Sequence, residues 1–97
     1  MAGEQLIFED FEHRAGSVFK HSEPAVALRL EEATLLPARF AAPDLRPPFS
    51  LIFIGPGDMI LPQRLYQLTH EEMGEVTIFL VPIGKDQRGV LYQAVFN

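Results

Sequence analysis

The sequence predicts a mainly β domain, a small antiparallel barrel or sandwich of about six strands with one short N-terminal helix. Apolar residues recur with period two through most of the chain after residue 25, as strands with a buried face require. Gly and Pro clusters interrupt these stretches at short intervals, as turns between strands do. The composition, 47% hydrophobic and 22% charged, is that of a chain able to bury a core. At 97 residues there is material for one such core, so residues 1–97 read as one domain, with 1–5 as a flexible end.

The opening segment Leu6 to Ala15 sets Phe8, Phe11 and Ala15 near helical spacing. Glu9 and Asp10 favour a helix start, Arg14 a helix end, and Gly16 a left-handed stop. No Ser, Thr or Asp stands before the first turn to cap it. Ser17 to His21 is a short extended piece and Ser22 to Pro24 a turn. From Ala25, Val26, Leu28 and Leu30 share one face and Arg29 and Glu31 the other. The phase slips at Glu31 and Glu32, after which Ala33 and Leu35 become the apolar set, so a β-bulge belongs at this pair.

Residues 37–48 hold four of the eight prolines and form the main loop. Phe49 to Ile54 and Val76 to Pro82 are apolar on both faces, and Arg64 to Thr69 less completely so. Strands of that kind lie centrally beneath other layers, inside a barrel, or at a subunit contact. Gly55 to Asp58 breaks the chain, His70 to Gly74 reads as one helical turn, and Gly84 to Gly89 as a polar hairpin loop. Val90 to Phe96 is a final strand that ties the terminus into the sheet.

Several function classes fall away on composition. A formal charge of −5 with eight scattered Lys and Arg provides no phosphate-binding footprint, so nucleic-acid and anionic membrane partners are not expected. Without cysteine there is no disulfide, thiolate nucleophile or cysteine-ligated zinc. The longest apolar stretch, Val76 to Ile83, is too short for a helical span, and the first ten residues do not read as a signal peptide. A cytoplasmic protein is the expectation.

Chemistry-bearing patterns are incomplete. His70-Glu71-Glu72-Met73 begins like a zinc-protease helix, but position 74 is Gly where the second His is needed. Glu9, Asp10 and His13 would share a helix face and could hold a divalent ion, though such a trio is more often a solvated face. Glu31 and Glu32 would diverge as strand neighbours unless a bulge re-aims one. Gly55-Pro56-Gly57 lacks the Lys and Ser or Thr of a phosphate loop. No cofactor and no catalytic residue is expected, and the chain reads as a non-enzyme.

Pro48-Phe49-Ser50-Leu51-Ile52-Phe53 with Gly55-Pro56, Leu61-Pro62-Gln63 with Tyr66 and Leu68, Phe79-Leu80-Val81-Pro82-Ile83-Gly84 and the closing Tyr92-Gln93-Ala94-Val95-Phe96-Asn97 form a series. It resembles, over nearly the whole chain, a family of small uncharacterised bacterial domains with such an ending. The resemblance implies an accessory role beside phage-tail collar-type or tail-fibre-like proteins, and brings no catalytic residues with it. Ile7 departs from the small polar capping residue expected there.

These readings converge on a protein-interaction or accessory module that buries an apolar patch or strand edge against a partner protein or against itself. Its candidate contact residues are Ile52, Ile54, Phe79 and Val81, on the second faces of their strands. The alternatives are a ligand- or metal-binding protein, an enzyme included, with a barrel-mouth site lined by His13, Glu9 or His70, and a regulatory subunit active only in complex.

Overall fold

A computed structural model describes residues 6–37 and 47–97. The expected flexible end 1–5 and positions 38–46 of the Pro-rich loop 37–48 lie outside the described residues. The strands are β1 (Val18–Ser22), β2 (Ala25–Leu35), β3 (Phe49–Gly55), β4 (Arg64–His70), β5 (Gly74–Asp86) and β6 (Gly89–Phe96). They close into an antiparallel barrel in the order β1-β2-β3-β6-β5-β4, with β4 returning to β1.

Period-two patterning determines which side chains fill the barrel. Phe19, Leu28, Leu30, Leu51, Phe53, Tyr66, Leu68, Ile78, Leu80 and Tyr92 all point inward and are essentially inaccessible to solvent. Burying each side chain of this size contributes about 1.5–3 kcal/mol, so the interior dominates the stability of the fold. The slip at Glu31 is the expected bulge: the β2–β3 register shifts between Leu30 and Glu32. Leu30 and Ala33 thereby stand opposite the inward residues Phe53 and Leu51, while both glutamates face out.

The N-terminal helix is present as a single 3-10 turn, shorter than the expected span from Leu6 to Ala15. Helical geometry is confined to a 3-10 turn at Phe8–Asp10, where the Asp10 carboxylate accepts a hydrogen bond from the Ile7 N–H at 2.9 Å. The helical spacing of aromatics serves another purpose, for Phe11 is wholly buried against Phe19, Phe49 and Phe96, with ring centroids 5.9–6.2 Å apart. Phe8 meets the edge of Phe49, which stacks on Phe96 at 4.5 Å. The segment closes one barrel end with side chains, without needing a longer helix. Gly16 has the positive φ expected of it, 93°, but not as a helix stop. Its N–H donates to the Leu30 carbonyl while the Leu30 N–H donates to Ser17, the pattern of a glycine bulge.

Two connections are tighter than the sequence suggests. His70 pairs with Gly74, so residues 71–73 are a three-residue hairpin loop with Gly74 at positive φ, rather than a helical turn. Residues 84–89 are not a loop either: Lys85 pairs with Val90 and Asp86 with Gly89, leaving Gln87 and Arg88 as the turn. The final strand lies between β3 and β5, so the terminus is an interior strand and not a free edge.

Candidate functional site

Outward side chains divide the barrel wall into a charged half and an uncharged half. On β2 and the β5–β6 turn, Glu31 accepts from Arg29 at 2.8 Å and from Arg88 at 2.7 Å, and Arg88 also donates to Asp86. The Arg29 hydrogen bond foremost, then Arg88, holds the Glu31 carboxyl below the usual glutamate range. Asp86 is likewise lowered, by the Arg88 backbone and guanidinium. The bulge makes this network by turning Glu31 out beside Arg29, while Glu32 accepts from the Thr34 hydroxyl.

Across β3, β6, β5 and β4 the outer face is different. Register pairs Ser50 with Val95, Ile52 with Gln93, Gln93 with Val81, Phe79 with Leu65, and Thr77 with Gln67. None of these side chains carries a charge. Leu65 is 61% exposed, Val95 49% and Phe79 44%. Together they expose roughly 300 Å² of apolar surface, the size of patch that on a monomer is often functional.

The four residues picked out from sequence separate here. Phe79 is exposed at the centre of the uncharged face, and Ile52 and Val81 are half-buried within it. Ile54 does not belong to it: only 6% exposed, it is covered in place. It lies at the floor of a shallow depression of about 250 Å³ walled by Val18, Ala27, Arg29, Gly55, Pro56 and Arg88. Leu65 and Val95, which sequence reasoning passes over, complete the patch; their alternation with inward Tyr66 and Ala94 is the available signal.

The histidines fall in a second place. The β1–β4 seam is joined by the single pair Lys20 and Thr69, and beside it opens a cleft of about 680 Å³. His13, Arg14, Lys20, His70 and Glu72 are among its lining, and Glu9 is not. His70 is 3% exposed, its ring 4.6 Å from that of Phe19. Its Nδ1 accepts from the backbone N–H groups of Glu72 and Met73 at 3.0 and 3.2 Å, so it caps the hairpin loop and its ring proton sits on Nε2. Arg14 Nε stands 3.4 Å from Glu72 across the cleft, and that nitrogen makes no hydrogen bond. Among the described residues no three His, Asp or Glu side chains come together as a metal-binding group.

The loop 56–63 is fixed by two tyrosines. The Leu61 N–H donates to the buried Tyr92 hydroxyl at 3.0 Å, and the Tyr66 hydroxyl donates to the Pro62 carbonyl. Burial pushes the Tyr66 phenol above its ordinary range, against the opposing influence of Arg64, whose guanidinium lies 4.9 Å from the ring centre.

No helix among the described residues is long and apolar enough to cross a membrane. No curated protein and no solved structure matches the chain. A family model described as a domain of unknown function matches residues 6–96, so nearly every strand and turn described above lies within the match, and the chain belongs to the DUF6916 family.

Proposed function

We propose that this domain is a protein-docking module, without catalytic chemistry of its own, that binds through the uncharged outer face of β4, β5, β6 and β3. One observation carries the reading: Phe79 and its cross-strand partner Leu65 stand exposed among outward side chains, Gln67, Thr77, Val81, Gln93 and Val95, that carry no charge, with Glu75 and Arg64 only at the margin. Aromatic anchors and depletion of charge are the compositional marks of the core of an interface. A tail-fibre-like or collar-type protein is the first partner to test, because the sequence resembles a family associated with such assemblies; the setting proposed is the cytoplasm.

The test is calorimetric titration of the domain against a purified tail-fibre-like or collar-type protein, using wild type and Phe79→Asp. Wild type should bind, and the variant should bind at least tenfold more weakly, since a buried unpaired carboxylate is costly. Binding that Phe79→Asp leaves intact removes the face from the proposal, and an absence of wild-type binding removes the partner. The seam cleft supports the small-ligand alternative in one respect: it gathers His13 and His70. A flat titration with divalent ions would dispose of its metal form.

A further inference from the structure

Resting on that reading of the face, we infer that its occupant is a second copy of this chain, docked wall to wall about a two-fold axis near Phe79. A two-fold contact sets one patch against itself, so every charged residue near the axis meets its own like charge. On the other half of the wall, a two-fold axis would bring Glu31, Arg29, Arg88 or Asp86 against its own copy. The face around Phe79 escapes this penalty: Leu65, Thr77, Val81, Gln93 and Val95 surround it, and none is ionisable.

The fold also dictates the manner of contact. Closure of the barrel pairs β5 and β6 with a neighbour on each side, so around Phe79 a copy finds no free strand edge to extend. Association has to proceed through side chains. The two apolar patches with their polar rims would bury on the order of 1,000 Å², the lower end for specific interfaces. The dimer is therefore of the weak, transient class, and its face stays available to exchange.

Sedimentation velocity over a concentration series from about 5 µM to about 1 mM, wide enough to catch a weak contact, measures the state directly. The weight-average mass should climb toward twice that of the chain. Phe79→Asp and, separately, Leu65→Asp should hold it at monomer while circular dichroism and melting temperature stay at wild-type values, since both side chains are exposed. Because the chain contains no cysteine, an introduced one reports the geometry without background. Phe79→Cys should be joined into dimers by a short bis-maleimide. Ala27→Cys, exposed on β2 across the barrel from β5, should not.

A chain that stays monomeric to the top of the series overturns the second copy, as does a Phe79→Cys variant that cross-links no better than the β2 control. So does a dimer that both aspartate variants leave intact. A monomer whose binding to a tail-fibre-like or collar-type protein is nonetheless abolished by Phe79→Asp rejects the self-association and leaves the docking face standing, which separates the two failures.

Discussion

Replacing Gly89 by Ala tests the tightest point of the barrel. Gly89 begins β6 where that strand crosses the end of β3, and its φ is 149°, which L side chains rarely adopt. A Cβ there would lie 1.9 Å from the Gly55 carbonyl oxygen and 3.1 Å from its carbon. Neither is a flexible side-chain tip, so the two strands must separate by about 1 Å or more before contact becomes ordinary. Strain at such a φ costs on the order of 1–3 kcal/mol and overpacking a further 1–3 kcal/mol. The expected loss is about 4 kcal/mol, a drop in melting temperature on the order of 20 °C for a domain of this size. Two glycines of β5 supply the comparison. Gly74 also has positive φ, 74°, but a Cβ would meet nothing within 4 Å, so Gly74→Ala should cost only about 1 kcal/mol. Gly84 has open space and no positive φ, and Gly84→Ala should change stability by less than about 0.5 kcal/mol. Urea unfolding of the three variants reads the order directly. If Gly89→Ala falls within about 1 kcal/mol of Gly84→Ala, the close crossing of β6 over β3 is wrong.

Two other perturbations probe the loop and the charged half of the wall. Tyr92→Phe leaves the ring in place but strips the buried Leu61 N–H of its acceptor; a loss of about 1–3 kcal/mol in urea unfolding, with faster amide exchange at Leu61, is expected. For Glu31 and Asp86 the folded-state values are depressed, so their contribution is complete above the ordinary values of 4.5 and 3.8 and drains away as pH falls below them. Glu31→Gln should therefore lower the melting temperature at neutral pH and flatten its decline through the acid range. Molar salt should shrink the difference, because the arginines are half exposed; an unchanged acid decline in the variant would show that other carboxylates carry it.

What the sequence discloses and what it hides follow one division. The bulge at Glu31 is legible because the interior has no place for an unpaired carboxylate: the phase slip between Leu30 and Ala33 has to be absorbed where it occurs. Strand β5 past Pro82 is hidden for the opposite reason. Its outer portion, Gly84 to Asp86, is exposed and needs no apolar pattern to pair with β6. The shortened helix shows that aromatic spacing alone is ambiguous, since Phe8 and Phe11 satisfy a helical repeat and a barrel plug equally well. The missing cap is the better guide. The sequence sets His70 in a turn, and nothing local announces that its Nδ1 holds the loop while its ring packs on Phe19. Distance conceals the cover of Ile54, which includes Arg88, held by a contact to Glu31 57 residues away.

The same division bears on how the domain can meet a partner. A sheet with a free edge offers backbone hydrogen bonds, and its partners are selected mainly by their willingness to be strands. This barrel has spent those groups on itself, and the thinly paired seam that is left is flanked by Lys20, a charge that discourages strand addition. Its inward apolar positions are occupied by its own side chains, which pack along the barrel axis. Affinity then has to come from outward side chains. Of the two halves of the wall, the charged one is already paired within itself through Glu31, Arg29, Arg88 and Asp86, and a partner that broke those pairs would first have to replace them. The uncharged half asks for no such exchange: water leaves Leu65, Phe79 and Val95 without any ion pair being broken.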